Sequence, residues 1–444
     1  MYDLLIKNGI IVNSDRIFKS DIGIEKGKIL HIKPNITDVS KNTIDAQNCY
    51  ILPGLIDPHT HLGIPVRNAQ SVDDFDVGTK AAACGGVTTI IDFTVQKKGE
   101  SLLKSIQRRN IEAKKSNVNY LLHCNVTDFP ENFEQELNNV FAEGIRSFKV
   151  FLTYKESGMM ISCSNFKKLA SIIKKNNGIL LIHAEKNDLV ENATQKLISQ
   201  GKTSCEYHAK SRPNIAEKEG IRQALDWNRD IECPLYFVHI STKEGIREII
   251  KERQKTSYPI YAETCPQYLV LDDNVYKTEN ARYFITTPPI RSKKDKEVLN
   301  NMLIKGYFDT IGTDHCPFTK QQKEISDKFY EIPNGLSGIE TRLSLLYTYL
   351  VRPNRMSISS LVKITSENPA KIFGLFHRKG IITQYSDADV VILDPLYRIK
   401  LSANMLHSLT DFCPYEGMDV YGYPKMTILN GKVIASKGKF YTIH

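Results

Sequence analysis

Two histidines one residue apart, His59 and His61, close the apolar run Tyr50-Ile-Leu-Pro-Gly-Leu-Ile-Asp-Pro-His-Thr-His. In an extended chain, residues two apart face the same way, so both imidazoles can meet one metal ion. Three further apolar runs end on similar groups. Leu180-Leu-Ile-His-Ala-Glu carries His183, Tyr236-Phe-Val-His-Ile-Ser carries His239, and Ile311-Gly-Thr-Asp-His carries Asp314. Another, Ser147-Phe-Lys-Val-Phe, holds Lys149 among apolar neighbours. A single histidine in an apolar strand is more often a hydrogen-bonded core residue than a ligand, and a single lysine there can simply pair with a buried acid. The joint occurrence points elsewhere, because imidazole and carboxylate suit zinc and similar divalent ions. His123 falls earlier in its run and reads as core or as a support behind the site. His315 follows Asp314 directly and should point away from it. His208 reads as a loop or helix residue, Arg67 as a loop residue, and Cys84 and Cys316 as packing.

These groups need a frame that gathers strand ends. Between residues 50 and 313, eight strand-like runs (50–56, 87–93, 120–126, 146–152, 179–184, 235–240, 260–263 and 310–313) alternate with helical patterns such as 73–84, 102–115, 164–175 and 293–304. Eight alternations predict a (β/α)8 TIM barrel, whose chemistry sits at the C-terminal ends of its strands. A doubly wound sheet also fits the alternation. Both chain ends read as all-β. Asp3-Leu-Leu-Ile-Lys-Asn-Gly-Ile-Ile-Val, a Lys26-Gly27 turn and an Asn430-Gly431 hairpin turn are the signals. The expected organisation is a β-sandwich domain from residues 1–53 plus 388–444, around a catalytic barrel of residues 54–387.

Composition narrows the class. Of 444 residues, 41% are hydrophobic and 25% charged, which is ordinary globular usage and excludes wholesale disorder. No run of 18 apolar residues is present, so no membrane span is expected. The N-terminus carries no secretory pattern, and nine scattered cysteines without a CxxC pair read as reduced thiols in a cytoplasmic protein. The net charge of +9 could suggest nucleic acid, yet the basic residues do not cluster. The densest piece, Arg291-Ser-Lys-Lys-Asp-Lys-Glu, contains acids and reads as a solvated helix face, so no nucleic-acid partner is expected.

Pro53-Gly-Leu-Ile-Asp-Pro-His-Thr-His resembles the signature of the amidohydrolase superfamily, and the fuller set resembles its hydantoinases and dihydropyrimidinases. That set comprises the segment from Phe75 to Phe93, Ser147-Phe-Lys-Val-Phe-Leu-Thr-Tyr-Lys, Glu263-Thr-Cys-Pro-Gln-Tyr-Leu, Gly312-Thr-Asp-His-Cys-Pro-Phe, Asn334-Gly-Leu-Ser-Gly-Ile-Glu-Thr-Arg and Asn368-Pro-Ala-Lys-Ile-Phe-Gly-Leu. The resemblance covers nearly the whole chain. It implies two zinc ions per subunit, one held by His59, His61 and Asp314, the other by His183 and His239, with a carbamylated Lys149 bridging them. Tyr154 would bind the ring carbonyl and stabilise the oxyanion, while Thr287, where the family usually has Ser, and Asn334 would contact the ring amide, largely through backbone. Asp314 would move the proton from the attacking water to the leaving nitrogen. The implied reaction opens a cyclic amide or ureide to an N-carbamoyl amino acid, with allantoinase chemistry the alternative. Collapsin response mediator proteins share the fold as non-catalytic interaction proteins but lack the metal ligands that are present here. Relatives that hydrolyse dihydroorotate look like His-x-His-x-Arg, whereas Leu62-Gly63 follows His61, so a neutral ring is expected. A homo-oligomer, dimer or tetramer, is also implied. Tyr385 stands where the family commonly has Gly.

Overall fold

The computed structural model describes residues 1–442. Eight parallel strands follow one another in space as in sequence: Leu55–Thr60, Val87–Phe93, Asn119–Asn125, Ser147–Phe151, Ile179–His183, Leu235–Phe237, Ile260–Thr264 and Thr310–Ile311. Helices cover them, which is why the strands read as nearly unbroken apolar runs rather than alternating ones. The helices Phe75–Cys84, Leu102–Ala113, Cys163–Lys175 and Lys293–Ile304 each start within two residues of the expected position. Each has a capping side chain at its N-terminus, from Asp74, Ser101, Ser162 and Ser292.

The first and last strands meet through side chains and single bonds. His61 N donates to His315 O at 2.9 Å, and Asp314 N donates to His59 O at 2.9 Å. Below them, the fully buried Arg342 donates from Nη1 to Ile56 O at 3.0 Å and to Ile311 O at 2.6 Å. Thr313 donates its hydroxyl to Asp57 at 2.6 Å. These links close the ring to a near-complete barrel and exclude the open doubly wound sheet.

The chain ends build two further sheets. A four-stranded sheet runs Lys28–Lys33, Asp21–Glu25, Tyr2–Lys7, Ser40–Asp45. A seven-stranded sheet joins C-terminal strands to N-terminal ones, with Val390–Leu393 antiparallel to Tyr50–Pro53. One apolar cluster, including Leu4, Ile6, Ile22, Ile24, Ile51, Val390 and Ile428, fills the space between the sheets. Asn430 and Gly431 both have positive φ (49° and 76°), as their hairpin turn requires.

Two expectations are corrected here. The run 50–56 is two strands, Tyr50–Pro53 in the terminal sheet and Leu55–Thr60 in the barrel, separated at Gly54. A Cβ on Gly54 would lie 2.1 Å from Thr88 Oγ1, so only glycine lets the chain cross between the layers. The Gly-punctuated segment from Asp3 to Val12, read as short strands, divides into Tyr2–Lys7 and Ile10–Val12. The basic run 291–297 is only partly a solvated face, because Arg291 and Asp295 are buried. Arg291 Nε donates to Ser241 Oγ at 3.0 Å.

Candidate active site

The C-terminal ends of the barrel strands surround a cavity of about 520 Å³. His61, Lys149, His183, His239, Asp314, Tyr154, Thr287 and Asn334 all line it, and His59 lies directly beneath. His59 Nε2 is 3.1 Å from His61 Nε2, and each of these atoms is 3.2 Å from Asp314 Oδ1. His183 Nδ1 is 3.0 Å from His239 Nε2. The His59 and His239 rings, 5.4 Å apart, join the two groups. Lys149 sits between the faces of Phe93 and Phe151, at 5.2 and 5.4 Å.

Outer hydrogen bonds set which nitrogen of each imidazole faces inward. His59 Nδ1 is 2.6 Å from Glu263 Oε1, and His183 Nε2 is 2.8 Å from Glu185 Oε2. A carboxylate accepts, so each of these nitrogens carries the proton and leaves a lone pair on the inward one. Glu263 is itself fixed by Tyr236 Oη at 2.7 Å and His239 N at 3.0 Å, and Glu185 by the Arg212 guanidinium at 2.6 Å. A Cβ at Gly312 would lie 2.7 Å from both Glu263 Oε2 and His59 Cβ, so the last strand must pass bare here.

Burial shapes the charges. It drives His59 and His239 well below the ordinary histidine value and lowers His183, so these imidazoles are neutral donors. Burial pushes the Lys149 amine down to about 7 against the pull of Asp314 and Glu263. It pushes Glu263 up to about 7. Burial would raise Asp314 and Glu185 as well, but His59 and His61 hold the first low, and Arg212 and His183 the second.

This donor set fits divalent cations. Convergent lone pairs on neutral imidazoles repel one another unless a proton or a cation lies among them. His61 Nδ1 is buried without a hydrogen-bond partner, and His59, His61 and Asp314 each offer an atom within 4.8 Å of the others. Tyr154, His239 and Asp314 have positive φ (67°, 40° and 54°), strained for such side chains and concentrated where side chains must be aimed.

Other residues fall as follows. His123 is core. Its Nε2 donates to Pro58 O at 3.0 Å, and its Nδ1 lies 2.6 Å from Ser147 Oγ. His315 points away from Asp314 and pairs with Asp73 at 3.0 Å. His208 starts the short helix His208–Ser211 and lines the cavity, with Nε2 2.7 Å from Thr286 O. Cys316 is buried but also lines the cavity. Cys84 is buried with Sγ 3.6 Å from His407 Nε2, and His407 is held by Glu340 at 3.0 Å. The nine cysteines form no disulfide. Glu185, Glu263 and Arg212 escaped the sequence reading. A signal existed for Glu185, which stands two residues past His183 and thus on the same side of an extended chain. Arg67 is a loop residue as expected, yet it too lines the cavity.

The architecture and this site are those of a barrel hydrolase class, and comparison with known proteins agrees. Residues 50–434 match the amidohydrolase family model. The D-hydantoinase of Geobacillus stearothermophilus is 39% identical over 443 residues, covering 98% of this chain and 93% of that protein. The dihydropyrimidinase of Brevibacillus agri superimposes with a TM-score of 0.95 at 36% identity, covering 98% of this chain and 95% of that one. The L-hydantoinase (dihydropyrimidinase) of Arthrobacter aurescens superimposes with a TM-score of 0.91 at 28% identity, over 99% and 98%. The chain belongs to the amidohydrolase family.

Proposed function

We propose that this protein is a zinc-dependent hydrolase that opens a hydantoin-like or dihydropyrimidine-like ring to an N-carbamoyl amino acid. The observation that carries the reading is the convergence of His59, His61 and Asp314 at the floor of the cavity, beside the His183–His239 pair. His59, His61 and Asp314 would hold one ion, His183 and His239 the second, and Lys149 would bridge them as a carbamate. A neutral amine offers one lone pair, whereas a carbamate offers two anionic oxygens, and burial between aromatic faces favours the uncharged amine that CO2 attacks. When bound, such ions supply Lewis-acid charge to the ring carbonyl and make the attacking water acidic near neutral pH.

The chain's own groups do the rest. Burial keeps the Tyr154 phenol protonated, so its hydroxyl can donate to the carbonyl oxygen as negative charge develops there. Asp314, held ionised by His59 and His61, takes the proton of the attacking water and delivers it to the leaving ring nitrogen. Thr287 Oγ1 and Asn334 Oδ1 are buried polar atoms without partners, placed to seat the ring amide together with nearby backbone. Glu185 and Glu263 hold imidazoles in place and do not touch substrate.

A homo-oligomer, dimer or tetramer, as the family resemblance implies, completes the reading, and the unpaired cysteines support a cytoplasmic location. The division into a sandwich of 1–53 plus 388–444 and a barrel of 54–387 is supported by the break at Gly54. The test is turnover of hydantoin, dihydrouracil, allantoin and dihydroorotate with zinc present. Ring opening of hydantoin or dihydrouracil is expected. Preference for allantoin would assign the alternative chemistry, and zinc-loaded protein inert on every ring would favour a non-catalytic role.

A further inference from the structure

Ring-opening substrates differ in what they carry outside the reacting amide, and one wall of the cavity bears on that group. The strands Pro65–Val66 and Ala69–Gln70 pair antiparallel across a two-residue turn, Arg67-Asn68. Arg67 has φ 53°. A positive φ at the first central residue of such a turn is a place where glycine costs nothing and a long side chain is disfavoured. An arginine nonetheless stands there, and its side chain lines the cavity beside Tyr154 and Arg212.

The two guanidinium groups differ in one respect. Arg212 is neutralised by Glu185, with Nε 3.1 Å from both carboxylate oxygens and Nη2 2.6 Å from one of them. Arg67 has no carboxylate within ion-pair distance among the described residues. Glu331 faces it but is engaged by Ser326 Oγ at 2.6 Å and Lys328 Nζ at 3.1 Å. Glu156 and Glu191 line the same cavity without pairing with it. Arg67 is exposed where it lines the cavity, so its guanidinium is open to an incoming anion. The cavity wall also carries the apolar side chains Ile64, Val66, Phe151 and Met159.

Resting on the ring-opening activity proposed above, we propose that Arg67 selects cyclic ureides whose exocyclic arm ends in a carboxylate. The apolar wall holds the methylene stem, and the planar guanidinium takes the carboxylate through two parallel hydrogen bonds. The ring itself stays neutral, as the residues after His61 lead one to expect. Arg67 lies in a loop, as expected, and the hairpin brings it to the cavity wall.

The test compares kcat/KM of the zinc-loaded enzyme on 5-carboxymethylhydantoin and on its uncharged isostere, 5-carbamoylmethylhydantoin. The acid should be preferred by about tenfold or more, the scale of one hydrogen-bonded pair to a charged group, chiefly through KM. The preference should collapse towards one in Arg67→Gln, persist in part in Arg67→Lys, and shrink as salt rises. A ratio near or below one in the wild type, or one unchanged in Arg67→Gln, overturns the inference while leaving ring opening intact. Failure to open these rings and unsubstituted hydantoin alike would instead overturn the activity on which it rests.

Discussion

Lys149 lies among strand-end histidines, between two aromatic faces, and its replacement separates its structural role from its chemical one. Lys149→Ala should lose most bound metal and activity while keeping its circular dichroism, and short carboxylic acids should restore part of the turnover. An alanine variant with two zincs and normal turnover would contradict the bridging role. Glu263→Gln tests the support behind His59. The expected loss in metal affinity is about 10–100-fold, read by chelator competition, because the carboxylate fixes the imidazole tautomer. An unchanged affinity would assign Glu263 to packing alone. The six candidate ligands were legible because strand-end positions and residue chemistry agree. Glu263 and Arg212 were not, since their partners come from strands and loops far away in sequence. Arg67 was legible as a loop residue, but nothing in its local sequence shows that its hairpin lines the cavity.

At the scale of elements, the barrel depends on how its first and last strands are joined. Arg342 is fully buried, donates to carbonyls of both strands, and has Asp57 3.8 Å away. Arg342→Leu would leave Asp57 without its cation and both carbonyls without a donor. The expected cost is about 3–5 kcal/mol, read by urea unfolding, as for removal of one partner of a buried pair. A loss under about 1 kcal/mol would show that backbone bonds at His59 and His61 suffice to close the ring. Helix starts were legible from Ser and Asp caps, and hairpins from Lys26-Gly27 and Asn430-Gly431. Strand limits were not. The sixth strand stops at Phe237, and His239 lies beyond it at φ 40°, a turn the apolar run does not announce. Tyr385 has φ 69° on an exposed turn, a conformation that glycine adopts freely, and nothing in the structure explains the tyrosine there.

For the molecule as a whole, buried histidines outside the ligand set make stability depend on pH. Burial pushes His123 and His208 down to about 3. In the unfolded chain each titrates near the ordinary value of ~6.5. Between those values the unfolded state binds protons that the folded state refuses, so stability falls as pH falls, by about 1.4 kcal/mol per unit for each histidine. The urea midpoint of the metal-stripped protein should therefore be clearly lower at pH 5 than at pH 7, and an equal midpoint would contradict the burial of these rings. Assembly belongs to the same scale. Light scattering should show a dimer or tetramer at micromolar concentration, and a monomer there would remove the oligomer from the reading. The pairing of metal with ring opening is tested most directly by stripping the enzyme with a chelator and titrating zinc back while following hydantoin opening. Activity should be absent from the stripped protein, rise with added zinc and level off at two ions per chain. Full turnover by protein retaining almost no metal, or two bound zincs with no ring opened, would contradict it.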